Sequence, residues 1–288
     1  MLKKRIVAVI VVKDGIAVQS HKFSRYLPLG RPAIIAEFLD DWGADEIILL
    51  DISAQKMGRE PDYAMVAEVA RRSRVPLTVG GGITHIEQIS KLMHCGADKV
   101  SFNFAALHDR KLLTVASEQF GAQCVVASID AVKVDGEYRV RDASTQTSLP
   151  LSPAVFAHQL ESAGAGEILI NSVDRDGTKA GFDRTLVTNV CDAVSVPVIC
   201  CGGAGRPDHF REVLELTACS AAAAANFFHF SEHSVTMTKA VVGRTMPIRL
   251  ETSATYAHNT LDPNGRLLKR NERELEDLLY KRIEREVI

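Results

Sequence analysis

Residues 43–53 read GADEIILLDIS, and residues 164–174 read GAGEILINSVD. Residues 75–83, VPLTVGGGI, return at 196–204 as VPVICCGGA. Gly43 and Gly164 are 121 positions apart, and Ala44/Ala165, Glu46/Glu167, Pro76/Pro197, Gly81/Gly202 and Gly82/Gly203 keep that spacing. Each segment is an apolar run bounded by glycine, the pattern of a buried strand leading into a turn. One fixed offset over both segments predicts two stacked copies of a strand–helix unit. The expected fold is a (β/α)8 TIM barrel with a twofold half-barrel repeat.

The rest of the chain fits that reading. Val- and Ile-rich runs near 5–12, 46–51, 76–80, 99–103, 124–129, 167–172, 197–201 and 220–225 are continuous rather than alternating, as in a parallel sheet covered on both faces. Amphipathic stretches such as 60–73 and 152–163 lie between them, the second opening on Ser152-Pro153. Segment 16–30 reads as a long mixed loop. Segment 131–150, with Asp135-Gly136, reads as a β-hairpin excursion after the fifth strand. The barrel is expected to span 1–246. A C-terminal extension, 247–288, carries a turn signal at Asp262-Pro263-Asn264-Gly265. It ends in a terminal amphipathic helix over 271–288, with Leu275, Leu278, Leu279, Ile283 and Val287 on one stripe. That helix suits either the barrel wall or a partner.

Composition narrows the function. The 288 residues, 46% of them hydrophobic, suffice for one large core, and a net charge of −2 argues against nucleic-acid binding. Six cysteines without CxxC spacing suggest buried free thiols in a reducing, cytoplasmic setting rather than a metal site or disulfide framework. The apolar stretch after MLKKR is too short for a signal or membrane segment. No cofactor or metal is expected.

Chemistry in such barrels gathers at the C-terminal ends of the strands. Gly81 and Gly82 follow the third strand, and Gly202 and Gly203 the seventh, so backbone N–H groups there can approach phosphate oxygens. Asp176 and Gly177, after the sixth strand, can serve the second of these pockets. The glycines could equally serve only tight turns. A ligand phosphorylated at both ends fits two such pockets. Asp130 ends the fifth strand and is the first candidate for a general acid/base, with Asp51 second. Either carboxylate could instead cap a loop amide. Arg5, Glu46, Lys99 and Glu167 sit at strand starts, where alternating charges can close a ring at the barrel bottom. By itself, that ring suits barrel stability as well as function.

These motifs together resemble the cyclase subunit family of imidazole glycerol phosphate synthase, over roughly residues 1–246. GADEIILLDISA, PLTVGGGI, GADKVS, GAQCVVASIDA, GAGEILI, SVDRDGTKAG and GGAG carry the likeness. The resemblance implies a glutaminase partner at the barrel bottom and ammonia crossing the barrel to a bisphosphorylated substrate at the top. It makes Arg5, Glu46, Lys99 and Glu167 an ammonia gate, Thr78 and Ser101 tunnel-lining residues, and Asp98 a partner contact. It adds Asn103 to the phosphate-binding set. The chain departs from the pattern at the top. Val11 stands where a second catalytic aspartate belongs, with Asp14 three residues beyond; Gln19 replaces a lysine, and Phe104, Asn171 and Asn226 replace small hydroxyl residues. A kept bottom and an altered top imply an ammonia-channelling relative rather than a cyclase. Such relatives work beside an ATP-dependent amidating enzyme for bacterial surface sugars, which would sit at the top. The alternatives are a working cyclase-lyase of histidine biosynthesis and a non-catalytic scaffold that activates a glutaminase.

Overall fold

The computed structural model describes residues 3–249, 260–263 and 267–268. The helix expected over 271–288 lies outside them. Eight parallel strands close on themselves: β1 (Arg5–Lys13), β2 (Glu46–Asp51), β3 (Leu77–Gly80), β4 (Lys99–Phe102), β5 (Val125–Val134), β6 (Glu167–Ser172), β7 (Val198–Cys201) and β8 (Ala221–Ala224). Each pairs with the next, and β8 returns to β1 with Arg5 opposite Ala221. Among the described residues, eight helices of eight or more residues surround them: α1 (Pro32–Asp41), α2 (Tyr63–Arg72), α3 (Ile86–His94), α4 (Arg110–Phe120), α5 (Pro153–Ser162), α6 (Arg184–Cys191), α7 (Pro207–Leu216) and α8 (Ser234–Val242). The (β/α)8 barrel read from the repeat is the fold.

The continuous apolar strands have a direct cause. On β1, Ile6, Ala8 and Ile10 pack outward against the helices, while Val7 and Val9 join a second cluster inside the barrel with Ile48, Val126, Leu169 and Ile199. Both faces are dry, so both must be apolar. β8 gives the interior only methyl groups, from Ala221 and Ala223, with Ala225 just beyond.

The repeat extends into local chemistry. Asp62 caps α2 by accepting from the Met65 amide at 2.9 Å, and Asp183 caps α6 from the Leu186 amide at 3.3 Å, again 121 residues apart. Gly81 and Gly202 have φ of +112° and +96°. A Cβ at either would fall 2.2 Å from the Asp51 carbonyl oxygen or 2.6 Å from that of Ser172, so only glycine fits.

Segment 16–30 departs from expectation. It is not an irregular loop but two strands, Ile16–His21 and Arg25–Gly30, continuing antiparallel from β1. Asp14-Gly15 makes the turn, with φ of +52° and +79°. Asp135-Gly136, the same dipeptide 121 residues on, turns β5 into strand Glu137–Asp142 with φ of +52° and +87°. Positive φ at both positions is the demand of a type I′ hairpin. Past the barrel, Ile248 bridges Lys4, and Leu261 bridges Leu267 across the predicted turn. The six cysteines are free, with Cys200 and Cys219 buried. Among the described residues no helix is long and apolar enough to cross a membrane.

Candidate functional site

At the barrel floor the four strand-start charges close a ring. Arg5 Nη1 reaches Glu46 Oε2 at 2.7 Å, and its Nη2 bonds Glu167. Lys99 Nζ reaches Glu46 Oε2 at 3.1 Å and Glu167 Oε2 at 2.8 Å. Two cations and two carboxylates therefore alternate around the axis. Both carboxylates are nearly excluded from water, at 1% and 5% exposure, while the cations retain some solvent. Burial opposes the charge on Arg5, but Glu167 and Glu46 outweigh it and hold its pKa above the ordinary value. Paired charges of this kind persist because removing either sign strands the other in a dry site.

Above the ring, Thr78 is fully buried and donates from Oγ1 to Glu46 Oε1 at 2.7 Å. Ser101 is buried on β4, two residues above Lys99 and on the same strand face. Asp98 is exposed at the bottom rim, in a cleft of about 200 Å³ lined also by Arg74, Pro76 and Leu77. Its Oδ2 accepts from the Leu77 amide at 2.8 Å.

At the roof, Asp130 is 7% exposed. Its Oδ2 accepts from Asn103 Nδ2 at 3.1 Å and its Oδ1 from Asn171 Nδ2 at 3.2 Å. Burial pushes its carboxyl from 3.8 up to about 6, against the pull of those two amides and of Arg141. A carboxyl held near 6 exchanges its proton easily at neutral pH, as general acid/base chemistry requires. Val11 joins the lumen cluster with Leu50, Cys201 and Ala225, so an apolar side chain occupies the upper end of β1. Asp14 does not substitute for it. It lies in the hairpin turn with its side chain 52% exposed, beside Lys13.

Asp51 is a loop cap: its Oδ1 accepts from the amides of Ser53 and Ala54 and from the Ser53 hydroxyl, between 2.6 and 3.1 Å. The expected phosphate residues divide. Gly81, Gly82, Gly202 and Gly203 lie in the loops leaving β3 and β7, all with positive φ. The carboxamide of Asn103 is committed to Asp130 and the Ser128 carbonyl. The carboxylate of Asp176 faces the first hairpin, accepting from Ser20 Oγ at 2.7 Å and the Phe23 amide at 3.4 Å. Burial raises its pKa above the usual carboxylate range. Gly177 packs against the same hairpin, where a Cβ would meet the Ser20 carbonyl oxygen at 2.8 Å. Asn226 completes the latch, accepting from the Ser20 amide at 3.0 Å and donating to its carbonyl. Gln19 and Lys179 line a mouth cavity of about 290 Å³ beneath this hairpin. Phe104 opens the short helix Phe104–His108 and packs its ring 4.3 Å from that of His108.

Sequence reading missed the Ser20–Asp176–Asn226 latch and Arg141. The Asp14-Gly15 turn dipeptide, matching Asp135-Gly136, was the signal that could have placed the first hairpin. Among the described residues no His, Cys, Asp and Glu group is arranged to hold a metal.

Comparison with known proteins places the chain in a family. The family model described as "Histidine biosynthesis protein" matches residues 5–234. The chain is 41% identical over 267 residues to a Vibrio vulnificus protein that carries the name imidazole glycerol phosphate synthase subunit hisF2, covering 92% of this chain and 98% of that one. It is 43% identical over 242 residues to the HisF subunit of Halalkalibacterium halodurans, covering 83% and 96%. The chain belongs to the histidine biosynthesis protein family, with the HisF-type cyclase subunits of imidazole glycerol phosphate synthase.

Proposed function

We propose that this chain is the ammonia-conducting, cyclase-like subunit of a glutamine amidotransferase complex, with a glutaminase docked at the barrel bottom around Asp98. The observation that carries the reading is the closed ring of Arg5, Glu46, Lys99 and Glu167 beneath an apolar lumen, with the hydroxyls of Thr78 and Ser101 just above the ring. In this role the ring gates ammonia into the barrel, and Thr78 and Ser101 line its path. Neutral ammonia crosses apolar surroundings cheaply, whereas ammonium pays a large desolvation cost. At the roof, Val11 leaves Asp130 without a second carboxylate on β1, and losing one acid/base partner costs roughly 10²–10⁴-fold in rate. The nitrogen then passes to a separate acceptor, a bacterial surface sugar handled by an ATP-dependent amidating enzyme at the top. The glycine-rich segments at Gly81–Gly82 and Gly202–Gly203 would hold phosphate groups at that end.

A second reading is an active imidazole glycerol phosphate synthase cyclase, favoured by the poised Asp130 carboxyl and the 43% identity to a HisF subunit. The test combines two measurements. With a cognate glutaminase, Lys99→Met is expected to leave glutamine hydrolysis intact while amide-labelled nitrogen escapes to bulk water; unchanged coupling refutes the gate. With ammonium salts, turnover of the bisphosphorylated cyclase substrate at the rate of a HisF subunit selects the second reading.

A further inference from the structure

The roof carries a cation that the ammonia path does not use. β5 and strand Glu137–Asp142 pair antiparallel, Ala131 opposite Val140 and Val132 opposite Arg139. Ala131 and Val140 both face the helix-side core. Side chains alternate along each strand, so the next step places Asp130 and Arg141 across from each other on the opposite face. Arg141 makes no ion pair with Asp130, whose two oxygens are taken by Asn103 and Asn171. One arm of the guanidinium, Nη2, donates to Gln146 Oε1 at 2.6 Å. Its Nε–H is buried and has no hydrogen-bond partner. A buried donor left unpaired destabilises the fold, and a charged one more so. Such a group, at the ligand end of the barrel, implies a missing acceptor.

We propose that the Arg141 guanidinium, with a donor to spare, binds a phosphate-type anionic group of the roof ligand beside Asp130. A guanidinium suits this task because its planar donors match phosphate oxygens and its charge does not titrate. The site lies on the β5 hairpin, apart from the Gly81–Gly82 and Gly202–Gly203 loops that follow β3 and β7. It holds whichever reaction uses the roof.

Occupancy has a consequence for Asp130. The charged or titratable groups near it are Arg141 from the hairpin, Asp176 from the loop after β6, Tyr26 from the first hairpin and Cys201 from β7. β1 and β2 present Val11 and Leu50, and β8 leads to Ala225. Burial raises both Tyr26 and Cys201, so both are neutral near pH 6. An anion on Arg141 cancels the one cation in this set. Asp130 then takes up a proton when ligand binds and becomes a neutral acid beside it.

The test is a titration of the full chain with inorganic phosphate, followed by NMR of the arginine Nε–H groups. Arg141→Gln identifies the Arg141 resonance by its loss. The expected result is a saturable shift of that resonance in wild type, with the Asp130 carboxyl pKa rising as phosphate saturates. Arg141→Gln should weaken this binding about 10- to 100-fold and abolish the rise at Asp130. Arg141→Lys keeps the charge, restores part of the affinity and guards against a folding defect. An Arg141 Nε–H that stays still while the amides of Gly81 or Gly203 move overturns the proposal. So does a wild-type protein in which no arginine resonance responds.

Discussion

Asp130→Asn offers a direct measure of how strongly the roof perturbs its acid. The wild-type carboxyl titrates near 6 in the folded protein against 3.8 unfolded. The folded state therefore holds the proton over a pH range in which the unfolded chain has released it. Stability from this group is fully present below pH 3.8 and is lost as pH rises through 6. About two pK units at 1.36 kcal/mol each amount to about 3 kcal/mol. An asparagine here cannot titrate, and it carries a single oxygen for the two amides of Asn103 and Asn171. One donor is stranded, a constant penalty of about 1–3 kcal/mol at every pH. The pH dependence of the difference is thus the signal. Urea unfolding of both proteins from pH 4.5 to 7.5 should show the variant gaining on wild type by about 2 kcal/mol across the range, since part of the full effect already falls below pH 4.5, at constant m-value. Asp176, which burial also raises, is present in both proteins and largely cancels. A difference that stays flat, or falls with pH, would refute a buried Asp130 held near neutrality.

Other outcomes follow from the loops. Gly81→Ala drives a Cβ to 2.2 Å from the Asp51 carbonyl oxygen at φ +112°, so chemical denaturation should show a loss above about 2 kcal/mol. Gly15→Ala also meets positive φ but has open space within 4 Å, so it should lose no more than about 1 kcal/mol, and equal losses would discredit the steric account. Ser20→Ala combined with Asn226→Ala removes the Ser20 hydroxyl bond to Asp176 and both Asn226 bonds to the hairpin, leaving, of these side-chain links, only the long Phe23 amide contact to the Asp176 carboxylate. Amide exchange over 16–30 should accelerate at least about tenfold while β1 and β5 stay protected; unchanged exchange would mean that the strand ladder alone holds the hairpin.

The barrel was legible because its signals are local and doubled. Seven of the eight barrel strands announced themselves as apolar runs within one residue of their observed ends, the fifth runs on from 129 to Val134 into its hairpin, and the 121-residue offset tied the two halves together. The floor was also legible, since Arg5, Glu46, Lys99 and Glu167 each begin a strand and parallel register brings strand starts together. The roof was less so. Whether Asp130 or Asp51 faces the lumen depends on the residue that follows: Ser53 and Ala54 offer amides to Asp51, while Asp130 finds its partners on other strands. The first hairpin escaped because its residues alternate weakly, and one of its two strands buries almost nothing. Its anchors, Asp176 and Asn226, come from distant chain segments. Arg141 left no mark at all, since its meaning lies in a cross-strand register and in one unpaired N–H.

The methyl-lined wall of β8 makes that side of the axis the place where added side-chain volume reports directly on packing. Strands of such barrels usually fill the axis with branched side chains, whereas here Ala221, Ala223 and Ala225 present methyl groups alone to Val7, Leu169 and Ile199. Hydrostatic pressure favours states that eliminate any void such a wall leaves. Volume changes on unfolding should shrink when Ala223 is enlarged to valine, and a noble gas such as xenon should find its seat along that wall.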